Sequence, residues 1–326
     1  MHGDAVDTLG IDGVWFDPLW RVEVRLTPLE RRLLETWTVR RLAFVAHAGG
    51  AALTTTQSYS RLEHSLGVLA LVTAFAPDDH LARTTALLHD VGHLPFSHTL
   101  EGLGGLEHHS LGRTAIRRLA DEVPGIDADQ VIAVDEGRVP SVLTSVPGGL
   151  KLDHLDSFLR SGQAHGRTQT PPHVLLGRLR LVGGTVDADP DDALELADLA
   201  IREALAQRSA ANLVPVTVLR DLVGRLLDRG ALSPADLARS TEDEVWARLV
   251  ADPDTATDAE LLRRRPQAWR MRTGDGPVPT GALRHTVSRG YLDLPTVGGR
   301  ALRDPRVEAL AAGLPLRVAV TRDGVR

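Results

Sequence analysis

The most informative stretch of the chain is residues 81–98, which read LARTTALLHDVGHLPFSH. Its apolar spacing predicts a helix over about residues 81–91, broken by the turn that leads to Pro95. The helix is apolar up to the point where His89 and Asp90 occur together, and buried His and Asp are costly unless they are paired or bound to a metal. The stretch therefore predicts a helix that delivers two polar side chains to a buried site.

Two other predicted helices carry residues that can complete a metal site. His64 lies on an apolar helix predicted over about residues 61–75, and Asp153 lies on a later one. Adjacent residues such as His89 and Asp90 diverge by about 100° on a helix, so they can share one ion only where that helix meets others. Two imidazoles and two carboxylates suit a divalent metal, and we expect one Mn, Fe, Co, Ni, Zn or Mg ion per chain.

The composition removes several classes of function. The 326 residues include 43% hydrophobic and 25% charged residues, as in globular proteins, and no Cys. Disulfides, thiolate metal sites and cysteine nucleophiles are therefore excluded, so any metal must be held by His and carboxylate groups. The 37 basic and 43 acidic residues give a formal charge of −6 without a sustained basic stretch. We expect no polymeric nucleic acid as a partner.

Targeting signals are not evident in the sequence. Residues 1–13 are acidic and lack the charged and apolar regions of a signal peptide. The longest apolar run, residues 66–76, is about half the length of a membrane span. We therefore expect a cytoplasmic protein that does not bind a membrane, and the sequence allows a homo-oligomer.

Helical signals outnumber strand signals. A strand or hairpin is predicted over residues 15–26, and Thr27, Pro28 and Glu30 then form a capping box that begins a helix. A short β-like run occurs at residues 314–321. Further helices are predicted over about residues 110–121, 150–160, 191–209 and 214–229, and from Ser240 or Thr241 with Glu244. The pattern favours an all-α fold in the form of one helical array.

Two motifs resemble those of the HD-domain metal-dependent phosphohydrolases. Residues 59–68 read YSRLEHSLGV, and residues 88–98 read LHDVGHLPFSH. The resemblance extends upstream to residues 17–18 and 26–30 and downstream to residues 151–158. Within this family, the sequence is most similar to the deoxynucleoside triphosphate triphosphohydrolase branch. By this resemblance, four residues match the family's metal ligands: His64, His89, Asp90 and Asp153.

The resemblance also implies roles beyond metal binding. His93, His98 and His108 match histidines that contact phosphate or transfer protons, and Glu101 matches an acid that pairs with the catalytic His. Contact between Glu101 and His108 requires the glycine-rich loop between them to turn back. Arg61 lies on the same side of its helix as His64 and is expected to reach the phosphate as a fork-shaped donor.

The sequence departs from the family on the side that would face the sugar. The branch usually carries Lys, Tyr and Asp after the last metal ligand, whereas this chain has His154, Ser157 and Ser161. His47 matches the family's Gln, which is often placed against the sugar 3′-hydroxyl. We therefore expect His47 and His154 to line the substrate site, and we expect an aromatic platform and a carboxylate to be absent from it.

The resemblance implies hydrolysis of a phosphate ester or anhydride of a small nucleotide. Two alternatives remain: a two-iron oxygenase in which His93 and His108 serve as additional ligands, and a nucleotide-binding regulator with little turnover. The expected organisation is an HD core over residues 1–170, a helical lobe over residues 171–265, and an irregular, partly β region over residues 266–326.

Overall fold

The computed structural model describes residues 13–274, 276 and 278–322. Most of the amino-terminal segment assessed for a signal peptide, residues 1–12, lies outside the described residues. So do residues 275, 277 and 323–326 of the predicted C-terminal region. Within the described part of the chain, no helix is both long and apolar enough to cross a membrane.

The fold is predominantly helical. The helices are α1 (Pro28–Glu35), α2 (Trp37–Arg40), α3 (Arg61–Phe75), α4 (His80–Leu88), α5 (His108–Glu122), α6 (Ala128–Asp135), α7 (Leu152–Ala164), α8 (Pro172–Leu176), α9 (Pro190–Gln207), α10 (Ala210–Asp228), α11 (Pro234–Arg239), α12 (Glu242–Ala251), α13 (Ala256–Arg264) and α14 (Pro305–Ala312). Short 3₁₀ turns connect several of them. The predicted capping boxes are confirmed, since Thr27 pairs with Glu30 at α1 and Thr241 with Glu244 at α12.

Three small sheets accompany the helices. The strands are β1 (Val14–Asp17), β2 (Val22–Arg25), β3 (Arg180–Val182), β4 (Thr185–Asp187), β5 (Trp269–Thr273), β6 (Leu283–Val287), β7 (Thr296–Val297), β8 (Arg300–Ala301) and β9 (Leu316–Arg322). β1 and β2 form the predicted hairpin, β3-β4-β7-β8 form a mixed sheet, and β5-β9-β6 form an antiparallel sheet. The all-α prediction is therefore correct for the helical majority, and the hairpin and the β run at residues 314–321 were expected, whereas β3 and β4 were not, because strands of three residues give no clear alternating pattern.

The apolar side chains form two cores. The larger core joins the β1-β2 hairpin to α1, α3 to α7 and α9, with α3 at its centre. The smaller core surrounds α10 and includes α11 to α13, β5, β9 and the turn containing Leu94, Phe96 and Leu100. Because Leu94 of the smaller core precedes α5 to α7 of the larger core, and Leu294 of the larger core follows α10 to α13, no single cut in the sequence separates the two cores. The domain boundaries given above remain predictions.

Candidate metal centre and phosphate site

Three helices bring the four expected metal ligands together. His64 lies in α3, His89 and Asp90 follow α4, and Asp153 lies in the first turn of α7. His64 Nε2 is 3.1 Å from Asp153 Oδ1, 3.4 Å from His89 Nε2 and 3.9 Å from Asp90 Oδ2. Ligands that each lie about 2.0–2.2 Å from one ion are necessarily separated by distances of this order. The donor set therefore fits a divalent cation.

Charge accumulates at this cluster. Burial raises the pKa of Asp90, but the charges of Arg61 and neighbouring histidines outweigh it and hold that pKa well below its usual value. Burial lowers the pKa of His64, but hydrogen bonds to Asp153 and Asp156 outweigh it and raise that pKa to about 9. The cluster thus contains ionised carboxylates around an imidazole that holds a proton. A metal cation would take the place of that proton.

Asp156 is a site residue that the sequence analysis did not assign. His64 Nδ1 donates to Asp156 Oδ2 at 2.8 Å, and Trp20 Nε1 donates to Asp156 Oδ1 at 2.7 Å. Arg160 also donates to this carboxylate. The contact fixes the His64 ring so that Nε2 faces the other ligands. A signal was present in the sequence, because Asp156 lies three residues after Asp153 on the same side of a helix.

Gly67 allows α3 to approach α7 closely enough for this contact. A Cβ atom at Gly67 would lie 2.2 Å from both Asp156 Oδ1 and Arg160 Nη2. Such distances are not tolerated, so the carboxylate or the guanidinium would have to move. Because Gly67 has no side chain, α3 and α7 can pack closely enough for Asp156 to contact His64.

Arg61 contacts protein acceptors on three sides. Its Nη1 donates to Asp90 Oδ2 at 3.0 Å, its Nε to Ser97 Oγ at 2.9 Å, and its Nη2 to the His47 carbonyl at 3.3 Å. The side chain is buried but still lines the cavity described below. These contacts place Arg61 behind Asp90, and a direct phosphate contact remains a prediction.

A second histidine cluster lies beside the first. The rings of His93 and His108 are stacked 4.5 Å apart, and His98 meets both rings edge-on. Each of these three residues offers a ring nitrogen within 4.8 Å of the others. His93 Nε2 is 3.1 Å from Asp90 Oδ1, so Asp90 contacts both clusters.

The second cluster is electrically unlike the first. Burial and the charge of Arg61 lower the pKa of His93 to about 3. Burial, together with the charge of Arg61, likewise lowers the pKa of His98 well below its usual value. The Nδ1 atoms of both residues are buried and have no hydrogen-bond partner in the described part of the chain. The second cluster thus contains neutral imidazoles with buried nitrogens that no described protein group satisfies.

Glu101 contacts His108 as the resemblance implied. His108 Nδ1 is 3.0 Å from Glu101 Oε2, and the His108 backbone N–H donates to Glu101 Oε1 at 3.1 Å. The intervening loop turns back through Gly102, Gly104 and Gly105, which all have positive φ angles that other residues rarely adopt. Its Gly102 N–H donates to the Leu106 carbonyl at 2.9 Å. The glycine-rich loop therefore turns back, as contact between Glu101 and His108 requires.

The turn before His98 is strained, and residues outside the motif hold it in place through hydrogen bonds. Phe96 and Ser97 have φ angles of 59° and 51°, in the left-handed region that non-glycine residues avoid. Glu242 of α12 accepts hydrogen bonds from the N–H groups of Phe96 and Ala46, at 3.0 and 2.8 Å. Ser97 Oγ donates to the Ala46 carbonyl at 2.6 Å. These contacts join the loop that carries His98 to the loop that carries His47.

Both clusters open on one cavity of about 770 Å³. The two expected substrate residues, His47 and His154, also line it. His47 stacks on Tyr59 with ring centroids 4.9 Å apart, and His154 Nδ1 bonds to Asp293. Every residue proposed from the sequence for metal or substrate binding thus lies at or beside this cavity.

The expectation that an aromatic ring and a carboxylate would be missing near His154 is wrong. The ring of Tyr291 lies 5.2 Å from that of His154, and the Tyr291 hydroxyl is 3.3 Å from His98 Nε2. Asp293 supplies the carboxylate. Tyr291 and Asp293 lie more than 130 residues after His154 in the sequence. No local sequence pattern could therefore predict that they lie beside it.

Lys151 and Asp135 are further polar groups at the cavity that the sequence analysis left unassigned. Lys151 Nζ lies 2.6 Å from Asp153 Oδ2 and orients that carboxylate. Burial raises the pKa of Asp135, at the end of α6, to about 6. Lys151 and Asp135 lie close enough for each to influence the pKa of the other, and Asp153 influences both.

Comparisons with known proteins agree with the motifs. Residues 61–133 match the HD domain family. An uncharacterized protein of Methanocaldococcus jannaschii is 29% identical over 163 residues, covering 46% of this chain and 34% of that protein. A deoxyguanosinetriphosphate triphosphohydrolase-like protein of Caulobacter sp. is 35% identical over 121 residues, covering 31% and 29%. A protein of the same description from Geobacter sulfurreducens is 33% identical over 113 residues, covering 29% and 28%. The matches span about a third of these relatives.

Solved structures share the fold over nearly the whole chain. A phosphohydrolase from Bacteroides thetaiotaomicron has a TM-score of 0.71 at 14% identity, covering 95% of this chain and 99% of that one. A hypothetical protein from Aquifex aeolicus has a TM-score of 0.68 at 17% identity, covering 95% and 96%. The recognition of an HD domain is confirmed, and so is the likeness to the deoxyguanosinetriphosphate triphosphohydrolase-like proteins.

Proposed function

We propose that the protein is a metal-dependent phosphohydrolase that cleaves a phosphate ester or anhydride of a nucleotide. The observation that carries this proposal is the position of Asp90, whose Oδ1 lies 3.6 Å from His89 Nε2 of the first cluster and 3.1 Å from His93 Nε2 of the second. A cluster of charged His and Asp side chains thus lies beside the neutral imidazoles of His93 and His98. The Nδ1 atoms of these two residues have no hydrogen-bond partner among the described residues. This pairing suits a reaction that needs both a cation site and proton transfer at a phosphate.

The first cluster would hold the metal through His64, His89, Asp90 and Asp153. When bound there, a divalent ion polarises a phosphoryl oxygen and lowers the pKa of a bound water. Asp156 keeps the His64 ring in position, and Arg61 neutralises part of the charge on Asp90. This chain therefore supplies both the ligands and the groups that orient them.

The second cluster would contact the phosphate and move protons. Because His108 Nδ1 is bound to Glu101, its Nε2 remains available to accept or return a proton. His93 and His98 lie around the same point, and an anionic phosphate placed there would raise their pKa values. Glu101 thus orients the catalytic His108, while His93 shares protons and His98 binds the phosphate. Arg61, His47 and His154 are proposed to complete the substrate site.

The test is hydrolysis of a panel of deoxy- and ribonucleoside mono-, di- and triphosphates with each candidate metal added, the product masses being measured. We expect release of phosphate, pyrophosphate or triphosphate that stops when the metal is chelated. An Asp90→Asn variant prepared in parallel controls for contaminating phosphatases. Nucleotide binding without hydrolysis by any metal-loaded sample would favour the regulator instead.

One observation favours a second candidate, the two-iron oxygenase. His93, His98 and His108 each offer a nitrogen within 4.8 Å of the others, a spacing that could accept another ion. Elemental analysis separates the two functions, because about one metal per chain supports the hydrolase and about two irons per chain support the oxygenase.

A further inference from the structure

One wall of the cavity is formed by a segment of the C-terminal region, residues 285–291. The side chains of His285, Val287, Arg289 and Tyr291 all line the cavity that holds the two histidine clusters. His285 and Val287 lie in β6, where alternate side chains share one face, and Arg289 and Tyr291 continue the same two-residue spacing beyond the strand. The segment begins in β6, where exposed and half-buried residues already alternate.

This wall is fixed in place by contacts at its far end. The Tyr291 hydroxyl lies 3.3 Å from His98 Nε2, and Asp293 bonds to His154. The Leu150 N–H donates to the Leu294 carbonyl at 2.8 Å, which joins the segment to the chain just before α7. Arg289 is two residues from Tyr291, so their Cα atoms lie at most about 7 Å apart. Its distance from the second cluster is therefore set by the fold.

Arg289 differs from the other Arg and Lys side chains of the cavity wall. Arg61 is paired with Asp90, Lys151 with Asp153, and Arg167 with Glu203. Among the residues that the structure describes, Arg289 has no acidic partner, and its side chain is exposed. Burial raises the pKa of Tyr291, but the charge of Arg289 opposes that shift, so the guanidinium lies close enough to act on the ring.

We infer that Arg289 binds a phosphate group of the substrate, beyond the phosphate held at the two clusters. A guanidinium presents a planar fork that matches phosphate oxygens, and one that has no carboxylate partner gives up no ion pair to bind them. The substrate class selected in this way is a nucleoside di- or triphosphate, in preference to a monophosphate. The nucleotide part of this inference rests on the proposed function, whereas the anion-binding part does not.

The test compares Arg289→Gln with Arg284→Gln in the full chain. Arg284 is an exposed arginine of β6 that does not line the cavity, so its variant makes an equal change in charge away from the cavity. Binding of inorganic tripolyphosphate and of inorganic phosphate is measured by calorimetry. We expect Arg289→Gln to weaken tripolyphosphate binding roughly 10- to 100-fold, as for loss of a charge-assisted hydrogen bond, with phosphate binding unchanged. Arg284→Gln should match the wild type.

Kinetics extend the comparison to nucleotides. Arg289→Gln should lower kcat/KM for triphosphates while sparing monophosphates. Equal tripolyphosphate binding by the two variants, or none by the wild type, would overturn the inference. If the wild type hydrolyses no nucleotide but its tripolyphosphate binding still depends on Arg289, then the proposed function fails and the anion site stands.

Discussion

Two histidine clusters share one carboxylate and yet hold their protons in opposite ways. The pKa of His64 is raised to about 9 by hydrogen bonds to Asp153 and Asp156 that outweigh burial, whereas burial and the Arg61 charge lower the pKa of His93 to about 3. Both rings are almost fully buried, so burial alone does not explain the difference. The number and sign of the charged neighbours determine it. Four predictions, centred on Asp90, His108, Gly67 and Glu242, would break or sharpen this contrast.

Asp90 is the group the clusters share, so its loss should have the largest effect. We expect Asp90→Ala to abolish metal binding and turnover while the protein still folds, because the two apolar cores bury far more surface than this site. Loss of the partner of buried Arg61 should also lower stability by about 3–5 kcal/mol. Metal content and thermal unfolding measure the two effects. Asp90→Asn keeps the side-chain volume, and normal metal content in that variant would contradict the assignment.

His108 tests the second cluster alone. His108→Ala should retain the metal and lower kcat by about 10²- to 10⁴-fold, the usual contribution of a general acid or base. Glu101→Gln should lose less, because the imidazole survives without the anion that orients it. Metal analysis and kcat are measured together for both variants. If His108→Ala also loses metal, His108 is a ligand and the two-iron oxygenase becomes the better proposal.

Gly67 tests the first cluster through packing. Gly67→Ala places a methyl group against Asp156 and Arg160, and overpacking of this kind costs about 1–3 kcal/mol. Displacement of Asp156 from His64 should weaken metal binding by about 10- to 100-fold, as for other partners of metal-bound histidines. Gly224→Ala in α10 is the matched control, because a Cβ atom there meets nothing within 4 Å. Equal metal affinity in the two variants would contradict this prediction.

The sequence predicted those parts of the site that local signals determine. The α3 helix begins at Arg61 as predicted, with Ser60 accepting from the Glu63 N–H, because helix starts depend on residues three or four apart. The motif around His89 could be recognised because its residues are contiguous in the sequence and resemble the HD motif. Local patterns contain no information about contacts such as that between His98 and Tyr291, which lie 193 residues apart. Such contacts depend on how the helices and sheets pack, so the wall opposite the motifs was missed.

Glu242 should have the smallest effect on the site, although it contacts loops that lead to both clusters. Burial raises its pKa to about 7, despite the hydrogen bonds that it accepts from Ala46 and Phe96. A carboxyl group whose pKa is raised on folding contributes stability that is fully present below its unfolded pKa, about 4.3 for Glu, and is lost as the pH rises through the folded value. The wild type should therefore lose up to about 3 kcal/mol between roughly pH 4 and 7, as this carboxyl ionises.

Gln at this position stays neutral and keeps an oxygen that can accept the same two N–H groups. Glu242→Gln should therefore remove this part of the pH dependence, so that the variant is more stable than the wild type at pH 8 and similar to it at pH 4. Chemical unfolding at a series of pH values measures the difference, and kcat should change little because both acceptor contacts persist. A variant that is less stable than the wild type at pH 8 would mean that the ionised carboxylate holds the two loops. In that case the charge on Glu242, rather than its geometry alone, would maintain the strained turn before His98.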